Sequence, residues 1–431
     1  MRYYSTNRQT GTVDFKEATI KGQAPDRGLY FPEKIPQADP DLINDIENLS
    51  NEEIAFRVIQ PYVANEIPNE KLYQIIAETI NFSIPLVAIT DTISSLELYH
   101  GPTLAFKDVG ARFMSRCLGY FLKEREEKVT VLVATSGDTG GAVASGFYDV
   151  RGIDVIILYP SGKVSPVQEK QLTTLGNNIH ALEVLGTFDD CQQMVKKAFV
   201  DKDLSQKRFL TSANSINVAR WLPQQFYYFF AYKQWREKNN PPVISVPSGN
   251  FGNICAGILA MQSGLPVKHF IAACNINDVV SGYLETQELN PKKARATLSN
   301  AMDVGDPSNF VRILEIFNHR FPELKNKLSS FTITDAETEA TIKEVYNESG
   351  YTLDPHGAVS YLSLKKYLYK NPEQKGIFLE TAHPVKFPGA VEKNTGNKIE
   401  IPGTIQKILA RDKKSTVIKP FYEELRDFLL K

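Results

Sequence analysis

The chain has little of what holds small or extracellular folds together. Its 431 residues include only four cysteines, Cys117, Cys191, Cys255 and Cys274. They form no Cys-x-x-Cys pair and no metal-ligand spacing, so a disulfide scaffold and a metal centre are not expected. Scattered single thiols fit a reducing compartment, where they behave as small buried apolar groups. No stretch approaches the ~20 apolar residues of a membrane-spanning helix. The opening run Met1-Arg2-Tyr3-Tyr4-Ser5-Thr6-Asn7-Arg8 lacks the apolar core of a secretory leader. These features predict a cytoplasmic protein. Charge of one sign is scarce too: the formal net charge is −1. Basic pairs such as Lys292-Lys293 and Lys413-Lys414 are isolated, which gives no electrostatic basis for a nucleic-acid or membrane partner. No internal repeat or low-complexity segment is present, which excludes arrays and disorder.

What the chain does have is length and alternation. This length is too great for one simple core and predicts two or three domains. Residues 1–90 form a first unit. A proline-dotted loop runs to Pro40, followed by helical periodicity over 41–49, 51–59 and 69–81 with polar or acidic starts. That reads as a mainly helical N-terminal unit. Across 91–431, apolar β-branched runs at 129–134, 153–159, 243–246, 269–274 and 376–380 alternate with helical segments. Such runs predict an α/β region of parallel sheets covered by helices on both faces. In that architecture ligands bind beyond the carboxyl ends of the strands.

Two glycine loops stand at such ends. Ser248-Gly249-Asn250-Phe251-Gly252-Asn253 follows one strand, and Thr135-Ser136-Gly137-Asp138-Thr139-Gly140 follows another. A glycine turn feeding a helix N-terminus offers free N–H groups and the positive dipole end, which is a socket for phosphate. Neither loop fits a Walker A or dinucleotide fingerprint. One such turn alone says little, because many α/β proteins carry them without a ligand. Two of them, with polar side chains interleaved, argue for binding.

A third element is Tyr99-His100-Gly101-Pro102-Thr103-Leu104-Ala105-Phe106-Lys107. An arbitrary lysine is a surface charge. Here an apolar approach follows a turn and sets Lys107 against buried surface, where desolvation lowers its pKa and makes it a usable nucleophile. Two anion loops and such a lysine point to a phosphate-bearing cofactor held covalently by an amine. His356 and His383 lie in polar turns, Asp354-Pro355-His356-Gly357 and Glu380-Thr381-Ala382-His383-Pro384. Each reads either as a hydrogen-bonded structural residue or as a pocket wall. Ser212-Ala213-Asn214-Ser215 with Arg220 supplies hydroxyl, amide and guanidinium donors for a second oxyanion, or else a helix cap and helix surface.

Taken in this order within one chain, the 99–108, 134–140, 247–253 and 380–384 motifs resemble those of the long-chain threonine synthases. These are pyridoxal-phosphate enzymes of the tryptophan-synthase-β-like group, fold type II. The resemblance runs through the whole chain and implies two interleaved α/β lobes, the smaller spanning roughly residues 105–220. It implies pyridoxal 5'-phosphate as cofactor and O-phospho-L-homoserine as the small-molecule substrate. The products would be L-threonine and phosphate, formed by γ-elimination and β-addition of water. Carried over, Lys107 is the lysine that forms the Schiff base with the cofactor aldehyde. Ser248, Gly249, Asn250, Phe251, Gly252 and Asn253 cradle its phosphate, and Thr381 is the hydroxyl partner of its ring nitrogen. Thr135, Ser136, Gly137 and Thr139 grip the substrate carboxylate, with Asp138 near the phenolic oxygen. Asn214, Ser215 and Arg220 hold the substrate phosphate, with Lys163 as a further candidate.

Asp138 departs from the asparagine common in the wider group, and a carboxylate beside a phenolate must share a proton or stand further away. Two rival readings remain. A sibling dehydratase or cysteine-synthase-like lyase would share the lysine but need no second anion site. A catalytically silent sensor would tend to lose the lysine or the carboxylate loop. Assembly is expected as a monomer or a homodimer.

Overall fold

β-Branched and aliphatic runs become strands, and the computed structural model, which describes residues 1–123 and 128–431, gathers them into three sheets. Near the N-terminus β1 (Tyr3–Ser5) pairs antiparallel with β2 (Tyr30–Pro32). Then come β3 (Leu86–Ala88) and β4 (Ile93–Glu97). The middle of the chain supplies β5 (Val129–Ala134), β6 (Ile153–Pro160), β7 (Ile179–Val184) and β8 (Phe209–Ser212). After them run β9 (Val243–Pro247), β10 (His269–Cys274), β11 (Leu328–Thr332), β12 (Gly376–Glu380) and β13 (Thr416–Ile418). The larger sheet has the order β11-β10-β9-β12-β4-β3 and the smaller β13-β7-β6-β5-β8. All pairings in these two sheets are parallel except β3 with β4.

Burial follows the strand period. Val131, Val133, Val155 and Ile157 enter one apolar cluster, while their neighbours Leu132, Ala134, Ile156 and Leu158 enter another on the opposite face. Both faces of the smaller sheet are therefore covered, which is why its strands read as unbroken apolar runs. Each fully buried Val, Leu or Ile stabilises the fold by roughly 1.5–3 kcal/mol relative to exposure. The smaller sheet takes its edge strand from the far end of the chain. Its helix Tyr422–Leu430 packs Leu425 and Leu429 against Leu182 and Cys191.

The N-terminal segment is more than helical. Helices Asn51–Val63 and Asn69–Thr79 lie where periodicity places them. The 41–49 helix is cut to Pro40–Asn44, because Asp45 leaves helical backbone at φ −110° and ψ 13°. The β1–β2 ribbon and helix Phe15–Lys21, capped by the Asp14 side chain, add structure that the loop-like composition did not predict. Arg312, fully buried over the Trp221 ring at 4.3 Å, donates to the Tyr30 carbonyl at 3.0 Å and fixes this segment on the larger body.

Candidate active site

Lys107 is the first residue of helix Lys107–Phe121. Leu104 before it adopts left-handed backbone, φ 55°, which costs a side-chain-bearing residue about 1–2 kcal/mol. A backbone bridge offsets that strain: the Phe106 N–H donates to the Thr381 carbonyl at 2.9 Å, and the His383 N–H to the Leu104 carbonyl at 3.1 Å. The lysine turn and the Thr381 turn after β12 are thus one antiparallel unit. Asp108 tightens the same turn, accepting from the Thr103 N–H at 2.9 Å and its hydroxyl at 2.6 Å.

The Lys107 side chain is half-buried and donates to the Thr139 hydroxyl at 2.8 Å. Burial lowers its pKa to about 8; Asp138 pulls it up, while Arg220 and Lys386 push it down. An amine with that pKa is substantially neutral just above neutral pH. Asp138 opens helix Asp138–Phe147 and is buried. Burial raises its pKa, but the Lys386 and Lys107 charges and the hydrogen bonds from Lys386 and Gln168 outweigh this and hold it at about 2. Its Oδ1 accepts from Lys386 Nζ at 2.7 Å and Gln168 Nε2 at 3.0 Å.

The 135–139 loop divides its tasks. The Thr135 hydroxyl accepts from the Gly137 and Gly140 N–H groups at 3.0 and 2.9 Å, so it closes the turn from within. Gly137 has φ +136°, and a Cβ there would stand 2.5 Å from Gln168. Ser136 and Thr139 remain partly exposed, and Thr139 lies beside the lysine.

The second loop leads into helix Gly252–Gln262. Among the described residues the backbone N–H groups of Gly249, Asn250, Phe251, Gly252 and Asn253 donate to no protein acceptor. Ser248 and Asn253 hold the loop's shape through bonds to the Val246 and Pro247 carbonyls, both at 2.8 Å. A Cβ at Gly249 would lie 2.7 Å from the Met302 Cα, so the cradle is closed on that side. The Met302 strip is positioned by His356, whose Nε2 accepts from the Ala301 N–H at 3.2 Å while Nδ1 donates to Asp354 at 2.5 Å. His356 is therefore a supporting residue. His383 packs its ring edge-on to Tyr99, and burial lowers its pKa to about 4. Helix Gln225–Gln234 ties both parts together: the Tyr227 hydroxyl donates to the Phe106 carbonyl and the Tyr228 hydroxyl to the Asn253 carbonyl.

Arg220 lies in the short helix Val218–Trp221, nearly fully buried, and its Nε and Nη1 have no hydrogen-bond partner. Burial lowers its pKa to about 10. A buried guanidinium left unpaired costs free energy, so it is a site held ready for an anion. Gly110 makes room for it, since a Cβ there would be 2.6 Å from the Arg220 carbonyl. The helix cap is Asn217, which accepts from the Ala219 N–H at 2.9 Å. Ser215 accepts from Asn250 at 2.7 Å and so joins this segment to the phosphate-type loop; Asn214 is half-buried beside it. Lys163 is exposed, and its charge acts on Asp190. Among the described residues no bond connects Lys163 to Lys107 or Arg220.

Sequence reasoning passed over Lys386, Gln168 and Tyr227. For Lys386 a signal existed: Val385-Lys386-Phe387 sets a lysine among apolar residues, as Leu104-Ala105-Phe106-Lys107 does. The same region contains no group of His, Cys, Asp and Glu suited to a metal among the described residues.

Known proteins similar to this chain name its family. A family described as pyridoxal-phosphate dependent enzyme matches residues 95–379. Those described as threonine synthase N terminus and threonine synthase, C-terminal, match 2–80 and 358–429. The threonine synthase of Buchnera aphidicola subsp. Acyrthosiphon pisum is 43% identical over 432 residues, covering 100% of both chains. The crystal structure of threonine synthase from Escherichia coli superposes with a TM-score of 0.93 at 41% identity, covering 100% of this chain and 99% of that one. A pyridoxal-phosphate-bound threonine synthase from Brucella melitensis also gives 0.93, at 34% identity, covering 100% and 98%. On these matches the chain belongs to the threonine synthase family of pyridoxal-phosphate-dependent enzymes.

Proposed function

We infer that this chain converts O-phospho-L-homoserine and water to L-threonine and inorganic phosphate, using pyridoxal phosphate. The observation that carries the reading is one desolvated amine between two separate anion sites. Lys107 stands with a run of free N–H groups at 249–253 linked to it through Tyr227 and Tyr228. Arg220, buried and unpaired, acts on it from another side. A cofactor phosphate needs one such site. A phosphorylated substrate needs the second, which a sibling lyase acting on an unphosphorylated amino acid does not.

The residues fit the cofactor. The closed cradle at Gly249 and the free N–H groups suit its phosphate, Lys107 would hold it through its amine, and the Thr381 hydroxyl would partner its ring nitrogen. When bound, pyridoxal phosphate supplies an electron sink for charge developing at the substrate Cα. Lys107 would also serve as the general base at the substrate Cα, a task suited to a pKa of about 8. Ser136, Thr139 and the N–H groups of the 135–139 loop would orient the substrate carboxylate. Arg220, with Asn214 and Ser215, would hold the departing phosphate. Lys163, on the exposed turn after β6, has less support for this role. The four buried free thiols support a cytoplasmic location, and the near-neutral charge supports a protein that binds no nucleic acid.

The test is incubation of the pyridoxal-phosphate-loaded protein with O-phospho-L-homoserine, with threonine and phosphate quantified together. Equal release supports the reading. Phosphate with 2-oxobutyrate indicates a relative lacking the final water addition, and turnover of L-threonine or O-acetylserine instead indicates a sibling lyase. Lys107→Ala is expected to abolish turnover in a folded protein.

A further inference from the structure

Asp138 and Lys386 come from different sheets and meet almost out of reach of water. Asp138 opens the helix that follows β5, and Lys386 ends the 3-10 turn Pro384–Lys386 that follows β12. Their side chains are 5% and 0% exposed, with Nζ and Oδ1 2.7 Å apart. A buried ion pair is a poor stabiliser, because desolvating two charges costs about as much as their attraction returns, and apolar pairs of equal volume do as well or better. The pair therefore calls for a reason other than stability.

The surroundings of Lys107 supply it. Asp138 and Thr139 face the amine from one helix, Arg220 from the helix Val218–Trp221, and Lys386 from the turn after β12. The Phe106 ring lies 5.7 Å away. Burial is the main cause of the lowered Lys107 pKa; the Asp138 charge opposes it by favouring the ammonium form, and the Arg220 and Lys386 charges act with it. Lys386 also accounts for an aspartate in a loop where a neutral amide would serve, since the pair as a whole is neutral.

We propose that Lys386 is a positioning residue for Lys107: it clamps the Asp138 carboxylate across the two sheets and thereby sets the pH at which the amine becomes a nucleophile. The proposal rests on Lys107 being the reactive amine.

Competitive acetylation of the cofactor-free protein, read peptide by peptide by mass spectrometry from about pH 6 to about pH 10, measures the Lys107 midpoint without turnover. The natural chain should titrate near 8. Lys386→Met should move the midpoint up, and Asp138→Asn should move it down. The double variant D138N/K386M should fall between them. Midpoints unmoved in both single variants, with only melting temperatures changed, overturn the proposal, as do shifts of the same sign. If Lys386→Met does not fold, Asp138→Asn against the double variant decides: a midpoint that climbs back when the second charge goes supports the clamp, and one that stays put sinks it. Borohydride reduction of the cofactor-loaded protein separately reports whether Lys107 is the attachment residue. Attachment elsewhere defeats the functional reading, whereas unmoved midpoints with attachment at Lys107 defeat only the clamp.

Discussion

The Phe106 N–H donates to the Thr381 carbonyl at 2.9 Å, so the residue before Lys107 is bonded to the backbone of the residue assigned to the cofactor ring. The link uses only main-chain atoms. Thr381→Val should keep it, changing stability by less than about 1 kcal/mol in denaturant titration. Turnover should fall by about tenfold or more, with a change in the bound cofactor's absorbance, because the hydroxyl proposed to partner the ring nitrogen is gone. A variant with full activity would remove Thr381 from the site.

Lys107 titrates at about 8 in the folded chain, below its usual range, because burial disfavours the ammonium form. Only the neutral amine attacks an aldehyde. The rate of pyridoxal phosphate capture by the cofactor-free protein should therefore climb about tenfold per pH unit below 8 and level off above it. The sign for stability follows. The folded pKa lies below the unfolded one, so this group's contribution grows as pH rises from about 8 to the unfolded lysine value and is lost on returning through about 8. Stopped-flow absorbance checks the first statement, and urea titrations of the cofactor-free protein check the second. A capture rate independent of pH across this window contradicts both.

Arg220 is buried with two guanidinium nitrogens unpaired. Arg220→Met should leave the melting temperature unchanged or raised, since it removes an uncompensated buried charge. It should weaken apparent affinity for the phosphorylated substrate by about tenfold to a hundredfold, the range of a hydrogen bond to a charged group. Affinity unchanged alongside a lower melting temperature would make Arg220 a purely structural residue.

Gly249 and Gly357 should respond differently to alanine. At Gly249 the new Cβ would stand 2.7 Å from the Met302 Cα and 2.9 Å from the Ala301 carbonyl. Gly249→Ala should fold, because its close contacts of 2.7 and 2.9 Å are milder than the overlap at Gly357, and should bind pyridoxal phosphate about tenfold more weakly in a fluorescence titration. At Gly357 the Cβ would fall 1.4 Å from Glu380 Oε2, the end of a fully buried side chain. Burial and the Asp354 carboxylate raise the Glu380 pKa well above its usual range, and its other oxygen is held by the Asp354 N–H at 2.6 Å, so the side chain has no room to give way. Gly357→Ala should destabilise by roughly 3 kcal/mol or more. Equal effects of the two substitutions on folding would show that the cradle is no softer than the core.

Much of this was legible along the chain. Strands β5, β9, β10 and β12 follow from apolar β-branched runs, and the 248–253 loop follows from glycines between such a strand and an apolar helix. The desolvated state of Lys107 follows from the apolar residues before it. Other elements were illegible. Strand β13 is three residues long, with two of them exposed, and has no pattern until β7 lies beside it. The β1–β2 ribbon is short in the same way.

The sequence by itself determined the local chemistry: which backbone N–H groups are left free, which turn carries the lysine and which strands must be covered on both faces. Those properties depend on partners a few residues away. Only the tertiary structure decided that Lys386 neutralises Asp138, that Arg220 is left unpaired and that Tyr227 and Tyr228 join the lysine to the loop. A buried charge acquires its partner when distant segments meet and water is expelled between them, and no local pattern encodes which segments those will be.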